Sequence, residues 1–363
     1  MEESSQASSS AADTPAHTRK TNLLVIVQVI IIIILIVAFV QVYWENLKFK
    51  ETEAKAENSL LSVKAYYGIG SKSFTIFNFE PLQTSMQSYI SEKNLNVSVY
   101  VENLRNGANF GINSREGDFP GSLNKVPLAI IIMQEVERGK LSLDSQIPTR
   151  GIIASDSVEI YTNADSVTFL SEPTTSYTNN SALPLHILLE NMLQKSDNNA
   201  FQILTAYVDK DALQQFLNYV NVDAQGSYNP VKASGQSNRL LSPKSLANIF
   251  LSLYYSTVLE PDDSEYILYL LANTTFNMQK TAQLADNVMV AHKYGVFNPN
   301  NERIFSDCGI IYDNRSRILY CITVRGQNEP EAVQTTAVFV RTISAYVAKT
   351  RDELDTYKTR GYV

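Results

Sequence analysis

The eighteen positions from Leu23 to Val40 are apolar apart from Gln28. As a helix they span about 27 Å, close to the hydrocarbon thickness of a bilayer, and Val42-Tyr43-Trp44 carry the helix into an interfacial aromatic belt. Ala38 to Val42 offers no small-residue cleavage pattern, so the expectation is an uncleaved transmembrane anchor over residues 21–44 rather than a signal peptide. Residues 1–20 are rich in Ser, Ala and Glu, lack apolar periodicity and read as a disordered tail. Glu45 to Lys64 is charged, rich in Ala, Glu and Lys, and free of glycine and proline. It predicts a helical stalk or short coiled coil, broken at Tyr66-Tyr67-Gly68-Ile69-Gly70, so that residues 45–75 form a linker.

Beyond residue 76 the periodicity alternates between helix and strand. A helix is predicted from Pro81 to Lys93, then a strand at Val97–Val101. A hairpin signal follows at Asn106-Gly107, with Phe110-Gly111-Ile112 on the return. The apolar run Val126–Met133 predicts a helix that opens near Ser122 and ends near Gly139-Lys140. Ile152 to Pro184 is polar and reads as a surface insertion of loops and short strands. Helices are predicted at Leu185–Leu193, Ala200–Val208, Asp211–Val220 and Pro243–Tyr255, the last with Pro243 in the first turn after Ser242. The pattern then changes to strands at Val288–Ala291, Gly309–Tyr312 and Ile318–Val324, closed by an amphipathic helix from Glu331 to Tyr357. Strands at both ends with helices between them predict a mixed α/β fold in which early and late strands share one sheet.

Composition removes several functions. The chain has 363 residues, 44% hydrophobic and 18% charged, with a net charge of -7, so no basic face invites a nucleic acid. Its three histidines, His17, His186 and His292, are too few and too scattered for a metal hydrolase. No H-E-x-x-H, phosphate loop or dinucleotide fingerprint is present, and neither metal nor cofactor is expected. Arg19 and Lys20 precede the apolar run while Lys48, Lys50 and Lys55 follow it, so charge alone does not orient an anchor.

Candidate chemistry begins at Gly121-Ser122-Leu123-Asn124-Lys125. On a helix, Ser122 and Lys125 stack one turn apart, and a lysine whose charge is disfavoured by burial can take the serine proton. Alone, the spacing more often means an N-cap and an exposed lysine. This is, however, the only S-x-x-K in the chain, and two further motifs follow it. In Ser196-Asp197-Asn198, residues two apart share a side of extended chain, so Ser196 and Asn198 can both face a cleft. The bland reading is a cap on the next helix. In Lys293-Tyr294-Gly295, after the strand Val288–Ala291, glycine permits a close backbone approach and Lys293 supplies positive charge. The bland reading is a strand-end lysine and a turn glycine. His292 and Lys293 point to opposite faces of a regular strand, which argues against a Ser–His pairing.

A two-residue turn at Asn314-Arg315 pairs Asp313 with Ser316 and, further along both strands, Cys308 with Cys321. Opposed Cα atoms lie about 4.5–5.5 Å apart, within disulfide range. A disulfide is therefore expected outside the cytoplasm, and two reduced core cysteines if the register slips by one.

The ordered triple resembles the penicillin-recognising serine hydrolases, and most closely the class A β-lactamase family. The resemblance covers roughly Phe79 to Lys358. It rests on Gly121–Pro127, on Leu188–Leu193 leading into Ser196-Asp197-Asn198, and on Val290–Gly295 with Asp307–Tyr312 as the next strand. It implies an antiparallel sheet flanked by terminal helices, with a helical subdomain, all within residues 76–363. It implies Ser122 as acylated nucleophile, Lys125 as proton acceptor, Ser196 as proton relay and Lys293 as carboxylate attractor. Asn198 would hold the substrate amide, with Tyr294, Gly295 and Val296 along the substrate edge. The oxyanion hole would use the N–H groups of Ser122 and Val296. The implied partner is a small β-lactam or a peptidoglycan peptide. The implied topology is a single-pass protein of the cell membrane, held in the bilayer through residues 23–44 with its catalytic domain extracytoplasmic.

Two departures stand out. The family carries a glutamate between the second and third motifs that activates the deacylating water, yet no glutamate lies between Glu190 and Glu260. The matching loop, Asn229 to Asn238, holds no carboxylate at all. Tyr294 also stands where the family usually has Thr or Ser. Both departures point toward slow deacylation, toward a D,D-peptidase, or toward a binding module without turnover.

Overall fold

Alternation in the last strands fixes the frame from which the site hangs. In the computed structural model, residues 16–57, 78–149, 177, 181–222, 240–298, 303–313 and 316–360 are described. The chain divides into two units, residues 1–74 and 75–363. In the first, helix α1 (Ala16–Glu57) is continuous and begins inside the stretch read as tail. Its segment Val25–Lys50 is long and apolar enough to cross a bilayer and is fully exposed within the unit, a property that membrane spans and signal sequences share. The rest of the tail, the stalk beyond Glu57 and its break at Tyr66–Gly70 lie outside the described residues.

The second unit opens with α2 (Glu80–Glu92), β1 (Asn96–Asn103) and β2 (Asn109–Ile112). A 3-10 turn, Gly121–Asn124, runs into α3 (Lys125–Glu137). Then come β3 (Gln146–Thr149), β4 (Ser181–Pro184), α4 (Leu185–Gln194), α5 (Asn198–Thr205), α6 (Lys210–Tyr219) and α7 (Pro243–Tyr254). The chain closes with α8 (Pro261–Ala272), α9 (Met278–Thr281), β5 (Met289–Phe297), β6 (Ile304–Tyr312), β7 (Arg317–Arg325) and α10 (Glu329–Thr359). Early and late strands form one antiparallel sheet in the order β2-β1-β7-β6-β5, with β3 and β4 as a separate pair.

Period-two alternation splits the sheet into two faces. One face carries Val99, Tyr294, Phe305, Tyr320 and Ile322 into a core closed by Leu82 and Met86 of α2 and Phe339, Val340 and Ile343 of α10. The other carries Ala291, Cys308, Ile310, Leu319 and Cys321 into the core of the helical part. That core surrounds α3, ten of whose thirteen residues are buried. A helix apolar all round belongs at the centre of a bundle. On the same face Lys244 donates to the Tyr100 hydroxyl, which donates to Glu102. Burial, then the Glu102 carboxylate, holds the Tyr100 phenol well above its ordinary pKa.

Strand β3 and helix α9 are not in the sequence reading, β6 begins at Ile304 rather than Gly309, and three further elements differ from that reading. Helix α8 was absent from it, although Pro261 at the first turn, followed by Asp262 and Asp263, is a start signal. Strand β5 does not stop at Ala291 but continues to Phe297, because β6 pairs with it from Tyr312 back to Ile304. The third motif is therefore within the strand, not after it. Ser122 lies in the 3-10 turn that precedes the α-helix rather than in the helix itself. Most of the polar insertion after Ile152 lies outside the described residues; its last residues form β4.

Candidate active site

Three backbone segments bring polar side chains to one buried point. The 3-10 turn keeps Ser122 and Lys125 one turn apart, and Lys125 Nζ reaches Ser122 Oγ at 2.5 Å. The same nitrogen is 3.3 Å from Ser196 Oγ and 2.7 Å from Asn198 Oδ1. From β5, Lys293 Nζ donates to Ser196 Oγ at 2.8 Å and to the Tyr294 carbonyl at 3.1 Å. Ser196 thus sits between two lysines. Ser122 is 8% exposed, while Lys125, Ser196 and Lys293 are 1–2% exposed and Asn198 is half-buried, so Ser122 and Asn198 are the more open members of the group.

None of those three neighbours of Lys125 is a carboxylate. The Asn198 oxygen can only accept, whereas the two hydroxyls can donate or accept. As an ammonium Lys125 donates to all three, and as a neutral amine it donates to two of them and can accept from the Ser122 hydroxyl. The Phe201 ring lies 5.7 Å from the Lys125 nitrogen and helps keep water away.

The Ser196 loop is held by unusual backbone and a buried brace. Ser196 has φ of 59°, a left-handed conformation that a non-glycine residue adopts at a cost of about 1–3 kcal/mol. Next to it, Asp197 caps α5 by accepting from the N–H groups of Asn199 and Ala200. Its other oxygen accepts from the Tyr177 hydroxyl at 3.0 Å, and Tyr177 accepts from Asn191 at 3.1 Å. The cap reading and the cleft reading of Ser196-Asp197-Asn198 therefore both hold: Asp197 caps while its neighbours face the lysines.

Two glycines let the Ser122 turn meet the edge of β5. A Cβ on Gly295 would overlap the Pro120 carbonyl oxygen and lie 2.8 Å from the Ser122 nitrogen. Gly121, at φ of 53°, comes equally near Val296, where a Cβ would sit 2.8 Å from its oxygen and 3.0 Å from its nitrogen. The backbones bearing the Ser122 and Val296 amides are in contact. Val296 is half-buried. Tyr294 meets the site through its carbonyl and through its ring face, 4.3 Å from Lys293 Nζ. That ring is otherwise packed with Phe276 and Phe305 and is 3% exposed.

Cys308 is the cross-strand partner of both Lys293 and Cys321, and the two cysteines are joined as a disulfide. Residues 314 and 315 of the connecting turn lie outside the described residues.

Sequence reading missed Tyr177, which lies in a polar stretch without periodicity. It also missed Arg325, which pairs with Asp118 and so ties the approach to the nucleophile turn to β7. No local signal marks either, because each partner is distant in the chain. The loop from Asn229 to Asn238, read as lacking a carboxylate, lies outside the described residues. Among the described residues no group of His, Cys, Asp and Glu could hold a metal.

Comparison with known proteins places the family and the fold. Residues 81–347 match the model of a family described as the β-lactamase enzyme family. The β-lactamase VEB-1 of Pseudomonas aeruginosa is 24% identical over 243 residues, which cover 63% of this chain and 77% of that protein. A mutant of PBP-A solved as its acyl-enzyme complex with penicillin G is 21% identical, with a TM-score of 0.61 over 74% of this chain and 97% of that one. The extended-spectrum β-lactamase TLA-3 is 17% identical, with a TM-score of 0.62 over 74% of this chain and 99% of that one. The two solved structures share its fold.

Proposed function

The chain belongs to the β-lactamase enzyme family, and from that premise we propose that it is a membrane-anchored serine hydrolase that forms an acyl-enzyme at Ser122 with β-lactams or related cell-wall peptides. The observation that carries the proposal is the Lys125 amine, within hydrogen-bond reach of Ser122, Ser196 and Asn198 at once. Lys125 accepts the Ser122 proton as Oγ bonds to the substrate carbonyl carbon. The developing oxyanion is met by the N–H groups of Ser122 and Val296, donors of a kind that contribute about 3–4 kcal/mol each to a transition state. The carbon–nitrogen bond then breaks, and Ser196 gives its proton to the leaving nitrogen while taking the one held by Lys125, which is again a free base. Asn198 holds the substrate amide, and Lys293 attracts the substrate carboxylate while orienting Ser196.

Residues 1–20 are proposed as a cytoplasmic tail, 21–44 as the anchor, 45–75 as a stalk and 76–363 as the extracytoplasmic hydrolase domain. A second reading, a D,D-peptidase acting on peptidoglycan stem peptides, is favoured by one observation: the stretch between Glu190 and Glu260 has no glutamate to activate a deacylating water. A muropeptide-binding module without turnover is the limiting case of that deficit.

Time-resolved intact-mass spectrometry with a chromogenic β-lactam separates the readings. Acylation of the wild type that is absent in Ser122→Ala is the expected result, with the adduct persisting. Rapid loss of the adduct with matching colour release makes the protein an efficient β-lactamase. No mass gain on the wild type removes the enzyme reading, and affinity for muropeptides that survives Ser122→Ala then supports the binding module.

A further inference from the structure

The residue beside Lys293 has no part in the chemistry above, yet it is among the most completely hydrogen-bonded side chains described. His292 is 1% exposed and points to the sheet face opposite Lys293. Its Nε2 lies 2.8 Å from the Phe276 carbonyl and 3.0 Å from Thr274 Oγ1. The Thr274 hydroxyl already donates to that same carbonyl. Nε2 therefore faces two acceptors and must carry a hydrogen. Its Nδ1 lies 2.8 Å from Asp307 Oδ2, and Asp307 Oδ1 accepts from the Tyr320 hydroxyl at 2.6 Å. One proton must occupy the Nδ1–Oδ2 link, whichever atom owns it. Burial, then the Asp307 charge, keeps the Tyr320 phenol well above its ordinary pKa, so it stays a donor. Gly309, the cross-strand partner of His292, makes the space: a Cβ there would overlap the His292 side chain.

The network does not end at the loop. Between Thr274 and Phe276, Thr275 donates twice to the Gln194 carbonyl, from its backbone N–H at 2.8 Å and its hydroxyl at 3.1 Å. Gln194 is the last residue of α4 and stands two positions before Ser196. The contacts form a closed circuit: Lys293 to His292 along β5, His292 to the 274–276 loop, that loop to Gln194, and Ser196 back to Lys293 through their 2.8 Å bond.

We propose that His292 is a positioning residue for acylation, which holds Lys293 and Ser196 at their working separation through Asp307 behind it and the Thr274–Phe276 loop in front. The proposal rests on the reading of Ser122 as the acylated nucleophile. Misplacing a proton relay by an ångström costs about a hundredfold in rate, so a circuit that fixes it carries a kinetic signature.

The test uses the full chain in detergent and two readouts: the limiting rate of adduct formation with penicillin G by intact mass, and hydrogen exchange of peptides covering residues 194–199 and 273–277. His292→Ala is expected to lower the limiting acylation rate per folded molecule by about tenfold or more, with the half-saturating concentration little changed, and to speed exchange in both peptides. Asp307→Asn is the rescue: its amide nitrogen donates to a neutral Nδ1 and its oxygen accepts from Tyr320, so rate and exchange are expected within about threefold of wild type. Should His292→Ala fail to fold, Thr275→Val removes one bond to Gln194 without touching β5, and about a threefold rate loss is expected. An unchanged rate and unchanged exchange in His292→Ala, or a loss in Asp307→Asn as large as in His292→Ala, overturns the proposal. If the wild type takes up no acyl group, the Ser122 reading fails. Exchange at 194–199 then decides the positioning claim by itself: faster exchange in His292→Ala supports it, and unchanged exchange overturns it.

Discussion

His292 and Lys293 are neighbours in sequence, both cationic by type, both 1% exposed, and used in opposite ways. Lys293 faces the helical side, where it donates to Ser196, which Lys125 also reaches along with Ser122. His292 faces the α2 and α10 side, where a carboxylate, a hydroxyl and a carbonyl satisfy it and a phenol donates to that carboxylate. The difference is one of completion. On the second face the hydrogen bonds of His292 are met within the protein. The first leaves Ser122 open to whatever enters. A reactive site needs both, since a partly exposed nucleophile keeps its geometry only if the strand behind it cannot shift.

The largest effect expected from breaking this contrast is on the reactive face. Lys125→Ala removes the proposed proton acceptor and should slow acylation per folded molecule by about 10²–10⁴-fold, measured as adduct formation over time. Gly295→Ala attacks the contact between the faces and the nucleophile turn. The added Cβ must push Pro120 and Ser122 away from β5, and a rate loss of about a hundredfold is expected. An unimpaired Gly295→Ala enzyme would show that the Ser122 and Val296 amides need not meet.

Smaller effects test the support. The disulfide beneath Lys293 should leave no free thiol in denatured, unreduced protein. Replacing both cysteines by alanine should lower unfolding free energy by about 3 kcal/mol for a loop of this size. Tyr320→Phe leaves a buried Asp307 oxygen without its donor and should cost about 1–3 kcal/mol, read by denaturant unfolding.

The smallest expected effect lies far from both faces. At the end of α3, the Lys140 ammonium and then Arg138 hold the Glu135 carboxyl below its ordinary pKa. A lowered carboxylate stabilises the fold above its unfolded pKa of about 4.3 and loses that contribution as pH falls through its folded value. Glu135→Gln should therefore flatten the acid side of the stability curve below about pH 5 and leave acylation near neutrality unchanged.

Local rules carried far in this chain. The Ser122–Lys125 spacing, the alternation of the last strands and the register opposing Cys308 to Cys321 all appear in the structure at the residues named from sequence. They were legible because each depends on a helical or strand period, and a period is local. Strand β5 was read too short because its last residues owe their extension to pairing with β6. Tyr177 on Asp197 and Arg325 on Asp118 were invisible for the same reason: each links positions 20 or 207 residues apart.

By itself, then, the sequence determined which residues can act, because a nucleophile, a proton acceptor and a cationic strand are chemical types at readable spacings. It also determined a helix apolar enough for a bilayer. Only the tertiary structure decided that Ser196 stands between two lysines, since that required a left-handed backbone at Ser196 and a loop braced from two other elements. Only it decided that of two adjacent residues Lys293 faces Ser122 and His292 the scaffold, because on a strand neighbouring side chains part to opposite faces and packing alone chooses which face holds Ser122.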